Sequence, residues 1–159
     1  PADAGINDAL NARLSRSEFM PFAPVVSEED AGELFDIGAP SQYAARFMTI
    51  TCNVKQSWRA RIPAVVHVDG TARPQIIRRA HNPLYYDILA AFKQKSGLPT
   101  MINTSFNVRG EPIVCTPEDA FHCFMGTEAE MLVVGNVVLR KEDQDPAVRL
   151  DYTDAFELD

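Results

Sequence analysis

The sequence predicts an α/β fold, with α+β as the nearest variant: a single domain built on a twisted, mixed β-sheet with flanking helices. Three observations carry this expectation. At 159 residues, 46% of them hydrophobic, the chain can bury roughly two-thirds of its unfolded surface around one core without disulfide or metal staples. Three N-cap signals each open an apolar run at helical spacing. About six short β-type runs fall between and after them without strict alternation of strand and helix, as a mixed sheet requires.

Taken in order, Ser27-Glu28-Glu29-Asp30 is a cap followed by acids in the first turn, opening a helix through Leu34 and Phe35 that stops before Gly38 and Pro40. Residues 47–54 alternate apolar side chains with Thr and Asn, the pattern of a half-buried strand. Residues 65–68 and 73–77 flank Asp69-Gly70, a strong short-range signal for a hairpin. Asn82-Pro83 starts a second helix that presents Leu84, Tyr85, Ile88, Leu89 and Phe92 and ends at Gly97. Residues 100–103, 111–114 and 131–139 read as further strands. A third helix starts at Thr116-Pro117-Glu118-Asp119, turns Ala120, Phe121, Phe124 and Met125 inward, and ends at Gly126. The core of the domain is expected at about 11–141, with 142–159 as an acidic tail lacking clear periodicity. No internal repeat or interdomain linker is visible.

Charge narrows the function. The formal net charge is -7 and the isoelectric point about 4.9, which opposes wholesale attachment to nucleic acid or to an anionic membrane. No run of 18 apolar residues exists, and the opening PADAGINDAL has neither a basic start nor an apolar stretch, so no membrane span or secretory signal is expected. The average conceals a segregation. Residues 46–109 hold ten basic and two acidic side chains, net +8, between flanks of net -6 and -9. The cations of this basic island are scattered among apolar residues, which favours a folded anion site over a polybasic arm. The bland alternative is that they pair with the acidic flanks at the surface, for about 0–1 kcal/mol each.

Cys52, Cys115 and Cys123 lie in apolar surroundings with no pairing logic, so a reducing, cytoplasmic setting and burial of all three thiols are expected, and no metal site. The informative stretches are His67 to Arg73 and Asn103 to Pro112, each combining a strand end, small polar side chains and an arginine. Ligand sites gather at strand ends in α/β folds. In the first stretch the candidates are His67, Asp69, Thr71 and Arg73. In the second, Asn103, Ser105 and Asn107 share a face while the chain is extended, Gly110 permits a tight return, and Arg109 is placed to face the same anion as Arg73. Guanidinium groups converging on one point suit phosphate or carbamoyl phosphate. The bland alternative remains open: Asp69-Gly70 is then only a turn, and 103–107 a polar loop capped by its own side chains.

At these residues the sequence becomes specific. EFMPFAP (18–24), IPAVVHVDGTARPQ (62–75), NTSFNVRGEPIVCTPEDA (103–120) and the strand before Leu139 resemble, in that order, the carboxy-terminal domain of the O-carbamoyltransferase family of nodulation and antibiotic-tailoring enzymes. The resemblance implies a YrdC-like fold with a positively charged cavity. It also implies ATP, carbamoyl phosphate and Mg2+ as the small molecules engaged, and formation of carbamoyl adenylate. Transfer to an acceptor hydroxyl would fall to a larger amino-terminal domain of the actin-like ATPase class. That partner domain carries the family's iron site and catalytic histidine and has no counterpart in these residues, so at most the first half-reaction is expected here. Carried over by motif, Arg73 and Arg109 fall on the family's catalytic anion-binding arginines, and Arg16 matches the arginine before PFAP. Arg46, at the start of an expected strand, is the candidate for a further basic contact. Leu14, Ser15, Ser17 and Met20 depart from the family's charged pattern around Arg16, and that departure motivates the alternative of a non-catalytic module that binds a nucleotide or carbamoyl phosphate and docks a partner. An RNA-modifying enzyme of the threonylcarbamoyl type is a third reading, which the acidic flanks oppose.

Overall fold

In a computed structural model the described residues are 1–13, 22–108 and 110–149. In chain order the elements are α1 (Ile6–Arg13), β1 (Ala23–Ser27), α2 (Glu28–Leu34), β2 (Phe35–Asp36), β3 (Cys52–Val54), α3 (Gln56–Arg59), β4 (Thr71–Ala72), β5 (Gln75–Ile77), α4 (Pro83–Ser96), β6 (Thr100–Asn103), α5 (Pro117–Gly126), β7 (Met131–Val134) and β8 (Val137–Arg140). The mixed α/β character is as expected.

The three expected helices begin at their caps. The Ser27 hydroxyl accepts from the Asp30 N–H at 3.3 Å and opens α2. Asn82 Oδ1 accepts from Tyr85 N–H at 3.2 Å, Pro83 fills the first turn of α4, and Gly97, at φ 72°, closes it by donating to the Lys93 carbonyl. Only glycine enters that left-handed conformation without penalty. Thr116 and Asp119 cap each other reciprocally, the hydroxyl accepting from Asp119 N–H at 3.1 Å and the carboxylate from Thr116 N–H at 3.0 Å. Each bond satisfies a donor that the first helical turn otherwise leaves without a partner.

The chain divides into two compact units, Pro1–Asn7 with Met20–Thr104, and Asp8–Phe19 with Ser105–Asp159. In the first, β1 lies between β5, to which it is parallel, and β6, to which it is antiparallel. Every residue of β1 is buried. Val25 packs with Ile77 and Leu89, while Val26 joins Leu34, Phe35, Val54, Trp58, Ile62 and Val65. A second, antiparallel sheet runs β2-β3-β4. In the second unit Ala120, Phe124 and Met125 of α5 form a core with Leu132, flanked by Val134 and Leu139 of the β7-β8 hairpin.

Several expectations need correction. The strands are distributed over three small sheets instead of one. Of 47–54, only β3 is extended: Ala44–Phe47 is a 3-10 turn and Met48 is left-handed at φ 55°. The Asp69-Gly70 turn forms, but Pro63–Val65 ahead of it is a 3-10 turn, and β4 pairs with β3, not with residues 65–68. Residues 111–114 form no strand. Residues 131–139 are two strands reversed at Gly135, whose φ is 57°. On α4, Leu89 is buried but Leu84 and Ile88 are 68% and 47% exposed, so the expected inner face is narrower than its apolar spacing. Of the thiols, only Cys123 is buried; Cys52 is intermediate and Cys115 exposed. Among the described residues no helix is long and apolar enough to cross a membrane.

Thr116→Ala is expected to lower stability by about 1 kcal/mol through loss of the cap. Phe124→Ala should cost about 3–5 kcal/mol through a core cavity. Urea denaturation followed by circular dichroism measures both, and equal losses would overturn this ranking.

Candidate anion-binding site

The candidate site begins with a turn that closes on itself. Asn53 and Thr71 are register partners of β3 and β4, and Val54 N–H donates to the Gly70 carbonyl at 3.0 Å. His67 N–H donates to the Thr71 carbonyl at 2.8 Å and Gly70 N–H to the His67 carbonyl at 2.9 Å. Within this frame Asp69 Oδ1 accepts twice from Thr71, from its N–H at 2.9 Å and its hydroxyl at 2.7 Å. These bonds, the hydroxyl's first, hold the Asp69 carboxyl below its usual pKa. His67 Nδ1 lies 3.0 Å from the same Thr71 hydroxyl oxygen. The structure therefore brings His67, Asp69 and Thr71 into one network.

Backbone conformation favours glycine at position 70, and the Arg59 side chain lies close against it. The φ of Gly70 is +82°, and a Cβ there would stand 2.5 Å from the Arg59 guanidinium carbon. Arg59 was not singled out by the sequence. Its Nε donates to the Val54 carbonyl at 2.9 Å, which lays the guanidinium against the turn. Its only sequence trace is membership of the basic island, because its neighbourhood with Gly70 depends on the pairing of β3 with β4.

Arg73 is half-buried and follows β4. Pro74 after it disfavours helical backbone at Arg73. Arg46 lies in the 3-10 turn Ala44–Phe47, not at a strand start. Its guanidinium lies 5.2 Å from the Tyr43 ring centre and 5.5 Å from that of Phe47, and it contacts His81 Nδ1. Asn103, at the end of β6, donates to Gln75 Oε1 at 2.5 Å, which ties β6 to the segment just after Arg73.

Part of the basic island is paired with carboxylates. Arg78 binds Glu28, Arg79 lies 3.3 Å from Asp87, and Lys93 lies 2.6 Å from Asp30. Arg46, Arg59, Arg61 and Arg73 have no carboxylate ion pair among the described residues; Arg61 instead stacks 3.7 Å over Trp58. An arginine without a carboxylate partner keeps N–H groups that can donate to the oxygens of an anion.

Ser105 and Asn107 fall in the second unit. Ser105 is exposed. Asn107 donates to the Glu111 carbonyl at 2.9 Å, Val108 N–H donates to the Glu111 carboxylate at 2.8 Å, and Gly110 is left-handed at φ 79°. Regular extension ends at Asn103, so the expected shared face of Asn103, Ser105 and Asn107 does not continue along a strand. The tight return at Gly110 is present. Arg16 and Arg109 lie outside the described residues. Among the described residues no group of three or more His, Cys, Asp or Glu side chains gathers to hold a metal ion.

Comparison with known proteins adds a family. The family model described as carbamoyltransferase C-terminus matches residues 1–141. Nodulation protein NolNO of Sinorhizobium fredii is 40% identical over 92% of the chain and 22% of its own length. Nodulation protein NolO of Bradyrhizobium diazoefficiens is 40% identical over 96% of the chain and 27% of its own length. An uncharacterised protein of Synechocystis is 38% identical over the whole chain and 29% of its own length. The chain thus spans between a fifth and a third of each of these relatives.

The network around Thr71 makes a titration prediction. A carboxyl whose folded pKa is depressed adds stability above its unfolded pKa, and that stability is lost as pH falls through the folded value. Carbon-detected NMR of Asp69 should give a midpoint below 3.8, and Thr71→Val should move it upward toward 3.8. A midpoint at or above that value in the unmodified protein would overturn the network. Gly70→Ala should cost at least about 1–2 kcal/mol from its backbone conformation alone, read as a lowered urea midpoint.

Proposed function

The chain belongs to the carbamoyltransferase C-terminus family, and from that premise we propose that it binds carbamoyl phosphate and ATP and forms carbamoyl adenylate. Transfer of the activated carbamoyl group to an acceptor hydroxyl is assigned to a larger amino-terminal domain of the full-length protein. The observation that carries this reading is the turn at 67–73, part of the stretch matched by the family model. Its closed hydrogen bonds hold a glycine against Arg59 and lead into Arg73, and neither arginine has a carboxylate partner among the described residues.

In the proposed chemistry carbamoyl phosphate reacts with water to give carbamate and phosphate. A carbamate oxygen then attacks the α-phosphorus of ATP, the bond from that phosphorus to the bridging oxygen breaks, and pyrophosphate leaves with the electron pair. The second step needs no base, because carbamate is already an anion. What it needs is positive charge fixed where negative charge grows, on the equatorial and leaving oxygens. Arg73 is assigned that role, with Arg46 as a further anion contact and with His67, Asp69, Thr71 and Asn103 lining the ligand. Mg2+ would travel on the nucleotide's phosphates, keeping most of its water.

ATP–pyrophosphate exchange in the presence of carbamate or carbamoyl phosphate tests the proposal. Exchange is expected with the unmodified protein. Arg73→Ala should slow it by roughly 100- to 1,000-fold while leaving the melting temperature nearly unchanged. Ligand binding without exchange, even after the amino-terminal domain is supplied, would overturn catalysis in favour of a binding module.

A further inference from the structure

The donors and acceptors around Thr71 can be counted, and the count fixes a tautomer. An ionised carboxylate only accepts, so the 2.7 Å contact between Thr71 Oγ1 and Asp69 Oδ1 places the hydroxyl proton on the Asp69 side. With its single proton so engaged, Thr71 Oγ1 can meet His67 Nδ1 at 3.0 Å only as an acceptor. Nδ1 therefore carries the proton in the neutral imidazole, and Nε2 is left with a lone pair and no hydrogen-bond partner among the described residues. Asp69 and Thr71 act as positioning residues for that ring.

We propose that His67 is the specificity-determining residue of this site: its Nε2 accepts an N–H from the amino group of a carbamoyl phosphate whose phosphate is held by Arg73. The inference rests on the carbamoyl phosphate reading given above and sharpens it. Arg73 follows Thr71 by two residues, so their backbones stand at most about 7 Å apart, and the imidazole leans on Thr71. An anion contact and a lone-pair acceptor are thereby offered together. Acetyl phosphate carries the same phosphate and a methyl group of similar size, but no N–H. A methyl group placed against Nε2 removes water from an acceptor and returns nothing, which is how a polar site rejects an isostere.

Binding of carbamoyl phosphate, acetyl phosphate and inorganic phosphate to the 159-residue chain is measured by calorimetry at neutral pH. Carbamoyl phosphate is expected to bind roughly tenfold or more tightly than acetyl phosphate, the value of about one good hydrogen bond. In His67→Leu the preference should fall to within about twofold, with inorganic phosphate still bound. Thr71→Val should lose most of the preference and Thr71→Ser should restore it. Nitrogen NMR should show His67 protonated at Nδ1, with the Nε2 resonance moved by carbamoyl phosphate and not by acetyl phosphate. A wild-type protein that binds the two acyl phosphates equally, a preference that survives His67→Leu, or a proton on Nε2 would overturn the role of His67 alone. Failure of all three phosphates to bind would remove the carbamoyl phosphate reading, and this inference with it.

Discussion

Placing β1 between two strands and two apolar clusters is the constraint from which the first unit follows. Its neighbours run in opposite senses, β5 parallel and β6 antiparallel, and its alternate side chains enter different clusters, Val25 on one face and Val26 on the other. A strand buried on both faces leaves no backbone group to water, so each N–H and C=O must find a ladder partner. That requirement fixes β5 and β6 at their positions. β5 begins at Gln75, two residues after Arg73, and β6 ends at Asn103, whose amide reaches Gln75. The candidate ligand loop is therefore held at its downstream end by the most buried part of this unit. Its upstream end rests on the β3–β4 pair, through Val54 N–H to the Gly70 carbonyl.

Charge is arranged with a similar division of labour. Acidic side chains of the amino-terminal flank are not spread evenly over the basic island. Glu28 takes Arg78 and Asp30 takes Lys93, while Asp87 of α4 takes Arg79. Glu29, next to these, holds the Tyr86 phenol above its ordinary pKa by accepting its hydrogen bond. These pairs are at least partly exposed and contribute little to stability, yet they decide which cations remain available. Arg61 is occupied by an aromatic face, which leaves its guanidinium edge able to donate, and Arg46 by two aromatic rings and His81. Arg59 and Arg73 have no carboxylate among the described residues. Pairing of the basic island with the acidic flank thus holds for Arg78 and Lys93, whereas Arg79 pairs within the island and the arginines of 46–73 have no carboxylate ion pair among the described residues.

What the sequence discloses follows the range of the interactions involved. Caps are local, so Ser27, Asn82 and Thr116 announced their helices almost to the residue. Sheets are not local. β1 escaped notice because Ala-Pro-Val-Val-Ser is buried along its whole length and shows no alternation. The hairpin expected around Asp69-Gly70 failed in its first arm because Pro63 starts a 3-10 turn, and because the partner of β4 comes from residues 52–53, far back in the chain. Gly135-Asn136 carried an available turn signal that splits residues 131–139 into two strands. At the candidate site, His67, Asp69 and Thr71 are close in sequence and were legible. Arg59 was not, since its contact with Gly70 exists only after β3 and β4 have paired.

The same geometry bears on how a small anion would be bound. Binding costs free energy whenever a flexible side chain or loop must be ordered, at about 0.5–1.5 kcal/mol per immobilised long side chain. Here much of that ordering belongs to the folded protein itself. The Arg59 stem is fixed by Nε on the Val54 carbonyl, Gly70 is fixed by bonds at both its N–H and its C=O, and the His67 ring is fixed by Thr71, which is itself fixed by Asp69. Short bonds confined to residues 53–71 make the turn rigid without drawing on the ligand. Rigidity of this kind favours discrimination over reach, because a fixed acceptor cannot turn away from a partner that offers it no proton. A site meant only to gather phosphate would gain more from mobile lysines, whereas an anchored arginine and an oriented imidazole suit a ligand whose two ends differ in chemistry.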